Sequence, residues 1–192
     1  SLSRRQRQMC IRDSVCAMGP PSSGGLTMLM MLKIFENFDV RSMDPNSIEM
    51  VHLFSEVNRI AYADRAYYMG DSDFINVPVE GLLNDSYLNE RGKIIDLNHY
   101  SKSITHGIPP GAEDFEKNID ISKSSTSHFV IVDKEGNAVS MTSTVEGPFG
   151  SHLMAGGFIL NNELTDFSMI PELNGKKIAN RVEPNKRPMS SM

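Results

Sequence analysis

Seven side chains have types and spacings that could do chemistry: Thr126, Thr144, Glu146, Glu163, Asp166, Ser190 and Ser191. The stretch Ser122 to Thr144, SKSSTSHFVIVDKEGNAVSMTST, runs from small hydroxyl residues straight into a β-pattern. An uncut chain would make this a polar loop entering a sheet. A chain cut between Ser125 and Thr126 would instead expose a nucleophile. A threonine hydroxyl is weak at its own pKa, but an N-terminal α-amine titrates near about 7.7–8.0 and can serve as its base. Nucleophile and base then belong to one residue. The Thr126 hydroxyl could also make the cut itself, by attacking the preceding carbonyl to form an ester that water opens. Thr144 could hydrogen-bond the nucleophile. Glu146, Glu163 and Asp166 would attract a cationic amine, because crowded carboxylates are tolerated with such a partner. Ser190 and Ser191 offer neutral donors for a carboxylate. Each acid could equally be a solvated loop residue.

The elements that must position these residues follow from periodicity. From Ser127 onward the chain predicts a hairpin, with Phe129 and Ile131 on one face and His128, Val130 and Val132 on the other. Asp133 to Asn137 supplies the turn, and Ala138 to Val145 the second strand. Upstream, GPPSSGG predicts a turn leading into a helix over Leu26 to Phe38, capped by Ser22 or Ser23, with Met28, Met30 and Met31 in a core. A second helix is expected with Asp44 as N-cap, Pro45 at its first position and Gly70 at its end. Its buried stripe would be Met50, Val51, Phe54, Val57, Ile60 and Ala61, leaving Arg59, Asp64 and Arg65 in solvent. Residues 71–125 predict short helical turns broken by Pro and Gly, and 97–125 an exposed, mobile linker. A short apolar strand over Phe158 to Leu160 and a loop-like tail follow. Helices first and strands second point to an α+β fold.

Composition narrows the class. The 192 residues are 40% hydrophobic with a formal charge of -5, which argues against a nucleic-acid partner. No apolar run is long enough to cross a bilayer. The head, residues 1–14, holds Arg4, Arg5, Arg7 and Arg12 against Asp13 and lacks both a period and the apolar core of a signal peptide. It resembles translated adapter sequence and is set apart as non-native. Cys10 lies within it, and Cys16 by itself cannot form an internal disulfide.

The segments TSHFVIVDKEGNAVSMTST, GGFILNNELTDFS and PNKRPMSSM, together with GPPSSGG and AYADRAYYMGDSDF upstream, resemble the γ-glutamyltranspeptidase family of N-terminal-nucleophile hydrolases. The resemblance spans Val15 to Met192. It implies part of a four-layer αββα sandwich, with residues 15–125 from the large-subunit region and 126–192 from the small-subunit region of one precursor. It implies Thr126 as nucleophile freed by autocleavage after Ser125, and Thr144 as its support. Glu163 and Asp166 would bind the α-amine of a γ-glutamyl group, Ser190 and Ser191 its α-carboxylate, and Glu146 would be a further substrate contact. Substrates would be glutathione and other γ-glutamyl compounds, with amino acid or peptide acceptors. No cofactor or metal is implied, and the location would be periplasmic or extracellular.

Ser127 stands where the family more often has threonine. The family's upstream carboxylate-binding arginine and the oxyanion glycines after its serine pair do not occur here; Gly156-Gly157 precedes the acid segment and is a different pair. Each oxyanion donor is worth about 10²–10³ in rate, so the chain alone is expected to be inactive. Two related readings stay open: an acylase for β-lactam side chains, or a poly-γ-glutamate enzyme. A third is a non-cleaving homologue that acts as a binding module.

Overall fold

The computed structural model describes residues 15–119 and 126–190. Among the described residues, four α-helices come first: α1 (Gly24–Phe35), α2 (Ile48–Tyr68), α3 (Val79–Leu82) and α4 (Asp85–Gly92). Six strands follow: β1 (Thr126–Val132), β2 (Ala138–Thr144), β3 (Met154–Ala155), β4 (Phe158–Ile159), β5 (Glu172–Leu173) and β6 (Lys176–Lys177). They form three antiparallel two-stranded sheets, β1-β2, β3-β4 and β5-β6. The segregated order is the α+β arrangement expected. Among the described residues, no helix is long and apolar enough to cross a membrane.

The core lies among the helices. Leu26, Met30 and Ile34 of α1 meet Leu53, Val57, Ile60 and Ala61 of α2, joined by Leu82 and Leu88. Ala179 and Met189 from the far end of the chain close the same cluster. Met28 is exposed instead, as are Val51 and Phe54. The real α2 stripe is Leu53, Glu56, Val57, Ile60, Ala61, Asp64, Tyr67 and Tyr68. Polar members extend it because they find partners inside.

Asp64 is the clearest correction. It is fully buried, and Arg91 reaches it with two nitrogens at 3.2 and 3.0 Å. Tyr87 donates at 2.8 Å and the Gly107 N–H at 2.8 Å. Burial still pushes its carboxyl up, against the pull of the Arg91 charge and these hydrogen bonds. Arg65 is also engaged, donating to the Ser23 hydroxyl at 2.7 Å.

Helix starts differ from expectation for local reasons. Ser47, not Asp44, caps α2, accepting the Met50 N–H at 3.1 Å. Asp44 instead accepts from Asn46 at 2.8 Å, one turn too early to start the helix. Ser23 stands at the N-cap of α1 without capping it, because its hydroxyl donates to the Ser190 carbonyl at 2.6 Å. Gly70 follows the end of α2, where an added Cβ would lie 2.8 Å from the Ala179 carbonyl oxygen. Glycine is therefore required there for close approach of the tail.

The segment expected to be exposed and mobile is tied down over much of its described length. Tyr68 donates to the Gly107 carbonyl at 2.7 Å, Tyr67 to that of Phe115, and Arg91 to that of Thr105 at 2.8 Å. His106 stacks on Tyr67 with ring centroids 3.5 Å apart, and Phe115 is buried. Polar composition concealed these bonds because the acceptors are backbone carbonyls, which every sequence carries.

Candidate active site

The hairpin β1-β2 sets the first part of the site. Its register pairs Thr126 with Thr144, His128 with Thr142 and Val130 with Ser140. Five residues close the turn: Asp133 accepts from the Asn137 N–H and side-chain amide, both at 2.8 Å, and Gly136 takes φ 86°. This is turn chemistry that fixes register, and a slip of one residue would move Thr126 to the other face. His128 is bracketed by Thr142 at 2.8 Å and Ser140 at 3.1 Å, so the Thr126 end of this face is polar, while Val130 and Val132 continue it toward the turn as exposed apolar side chains. The opposite face carries Phe129, Ile131, Val139 and Met141, each 41–58% exposed.

Thr126 and Thr144 border an open cleft of about 490 Å³, together with Val145, Gly147 and Phe149. From Thr144 a chain of bonds leads to the acids. The Thr144 hydroxyl accepts the Glu146 N–H at 2.8 Å. Glu146 has φ 71°, a left-handed backbone that costs a non-glycine residue roughly 1–2 kcal/mol. Its buried carboxylate accepts from the Asn162 amide, whose oxygen accepts the Gly147 N–H at 2.9 Å. Asn162 also donates its backbone N–H to the Val145 carbonyl at 3.3 Å. Glu163 follows directly and opens a single 3-10 turn that ends at Asp166. Burial first, then a hydrogen bond to Asp166 and the charges of Asp166 and Glu146, push the Glu163 carboxyl up to about 7. The three acids expected from sequence are therefore one electrostatic group, and Glu146 is more enclosed than an open substrate contact would be.

The serine segment is held elsewhere on the helical body. Ser190 pairs with Ser22 in a parallel bridge: its N–H donates to Pro21 at 3.0 Å, and its carbonyl accepts the Ser23 N–H at 2.7 Å. Three residues earlier, Arg187 grips Asp71 with its backbone N–H at 2.8 Å and its guanidinium at 2.9 and 2.6 Å. The Arg187 guanidinium holds the buried Asp71 carboxyl well below the usual range. Thus GPPSSGG and GDSDF, which sequence reading treated as landmarks, are the docking surfaces for the tail. Ser125 and Ser191 lie outside the described residues.

Sequence reasoning missed Asn162 and Asn180. Both are neutral amides without a motif of their own, although Asn162 adjoins Glu163. Among the described residues no His, Cys, Asp or Glu cluster has the geometry to hold a metal ion. Cys16 is a free, exposed thiol.

Known proteins match this arrangement along most of the chain. Its fold is shared with the cephalosporin acylase from Bacillus halodurans, with a TM-score of 0.69 at 24% identity over 91% of this chain and 28% of that one. In sequence it is 44% identical over 182 residues to the glutathione hydrolase proenzyme of Bacillus subtilis (strain 168), covering 90% of this chain and 30% of that protein. To the glutathione hydrolase proenzyme of Escherichia coli (strain K12) it is 40% identical over 185 residues, covering 93% and 31%. It therefore spans about 30% of the length of these relatives. Residues 5–192 match the Gamma-glutamyltranspeptidase family, and the chain therefore belongs to it.

Proposed function

We propose that the whole protein is a γ-glutamyltransferase and glutathione hydrolase, made as a precursor and activated by a cut between Ser125 and Thr126. The observation that carries this reading is the Thr126–Thr144 register pair, with Thr144 bonded to Glu146 and Glu146 to Asn162, the residue before Glu163. After the cut, the Thr126 α-amine takes the hydroxyl proton as Oγ attacks the γ-carbonyl of glutathione or another γ-glutamyl compound. The C–N bond breaks, the leaving amine receives that proton, and a γ-glutamyl ester remains. Water or an acceptor amine then attacks the ester and returns the hydroxyl. Thr144 orients Thr126, Glu163 and Asp166 hold the α-amine, and Ser190 and Ser191 hold the α-carboxylate. Glu146 shapes the acid group from within.

In the whole protein we take the hairpin to be one part of an αββα sandwich, with a further layer covering the exposed Phe129–Met141 face. Secretion to the periplasm or outside the cell remains part of the same proposal. A glutaryl-specific acylase is less well matched, since a glutaryl group has no amine for the Glu163–Asp166 pair.

Mass spectrometry of the whole protein is the test. New ends at Ser125 and Thr126 are expected, with release of glutamate from glutathione, and Thr126→Ala should abolish both. An intact wild-type chain, or cleavage that survives the substitution, would overturn the proposal.

A further inference from the structure

The acid segment and the serine segment belong to different parts of the chain, and one buried side chain joins them. Asn180 is 1% exposed. Its Nδ2 donates to the Asp166 carbonyl at 2.6 Å, and its Oδ1 accepts the Met189 N–H at 2.9 Å. Its own carbonyl accepts the Ser168 N–H at 2.9 Å. Asp166 is one of the paired acids, and Met189 immediately precedes Ser190. A single amide therefore spans the backbone of the two subsites, and its donor and acceptor ends are both used.

We infer that Asn180 is a positioning residue that sets the spacing between the amine-binding acids and the segment that carries Ser190, and so selects substrates carrying both groups on one carbon. This rests on the function proposed above. The α-amine and α-carboxylate of a γ-glutamyl group are fixed to the same carbon atom. Two subsites can hold both only if their separation is fixed to a fraction of an ångström, since misplacement by about 1 Å can cost 10²-fold. Arg187 to Asp71 and Ser190 to Ser23 and Pro21 tie the serine segment to the helical body, and Lys186 donates to the carbonyl of Ala179, next to Asn180, at 2.9 Å.

The experiment uses three anilide donors with the mature whole protein. The γ-glutamyl anilide carries both groups, the glutaryl anilide lacks the amine, and the 4-aminobutyryl anilide lacks the carboxylate. Asn180→Asp keeps the acceptor for Met189 but faces the Asp166 carbonyl with an oxygen; Asn180→Ser shortens the link. Rates are normalised to sites titrated by a covalent γ-glutamyl analogue, so misfolded protein drops out. The expected result is an increase of about tenfold in KM for the γ-glutamyl anilide with kcat largely kept. Its kcat/KM advantage over each single-group donor should fall by a similar factor. An unchanged advantage, with only fewer titratable sites, would overturn the inference, as would failure of both variants to mature. If the wild-type protein does not hydrolyse the γ-glutamyl anilide at all, the proposed function fails instead.

Discussion

Glu163 and Asp166 stand one 3-10 turn apart, and burial, with the hydrogen bond to Asp166 and its charge, pushes the Glu163 carboxyl up to about 7, so that below this pH the pair shares a proton. A bound ammonium would replace that proton. Below about pH 7, binding an α-amine must therefore release a proton, and KM for a γ-glutamyl donor should fall as pH rises from about 5.5 to about 7.5, by at most about tenfold per unit. Glu163→Gln should flatten the profile while raising KM. A pH-independent KM in the wild type would contradict the shared proton. The stability sign is opposite: a carboxyl raised from 4.5 to about 7 stabilises the fold below its ordinary value, and that contribution is lost as pH rises through 7. Substrate binding thus draws on a group that the empty fold prefers protonated. At this scale the Thr126 and Thr144 positions were legible, because alternation with period 2 and a five-residue turn set their register. Asn180 was not legible, because both of its side-chain bonds go to backbone groups that sequence does not distinguish.

Among the elements, the junction of α2, α4 and the segment around Gly107 depends on the buried Asp64–Arg91 pair. Arg91→Ala would leave the Asp64 carboxylate enclosed with only Tyr87 and the Gly107 N–H as partners. Loss of one partner from a buried pair typically costs about 3–5 kcal/mol. Denaturant unfolding of the whole protein should show a loss of that size, and a change below about 1 kcal/mol would mean that water reaches Asp64 once the arginine is gone. Helical periodicity placed Asp64 off the apolar stripe and hence in solvent. That argument fails when the partner lies 27 residues away and inside, as Arg91 does. Period detects apolar faces; it has no signal for a charge matched by a distant charge. The same limit applies to the polar linker, whose carbonyls bind Tyr67 and Tyr68.

For the whole molecule, the hairpin presents Thr126, His128, Val130 and Val132 on one face and the wholly apolar set Phe129, Ile131, Val139 and Met141 on the other. If a further layer covers that second face, Ile131→Lys should sharply reduce the yield of mature, soluble protein, whereas an exposed face would tolerate it within about 0.5 kcal/mol. An unchanged melting temperature and normal maturation would exclude the covering layer. Sequence by itself determined the order of helices then strands and the hairpin with its turn. These depend on periods of 2 and 3.6 and on local turn chemistry, which neighbours along the chain decide. Tertiary structure alone decided that Asp64 is buried, that the tail docks on Ser23 and Asp71, and that Asn180 bridges the acid and serine segments. Those contacts join residues far apart in sequence, and their energies come from exclusion of water and matched hydrogen bonds, which exist only once the chain has folded.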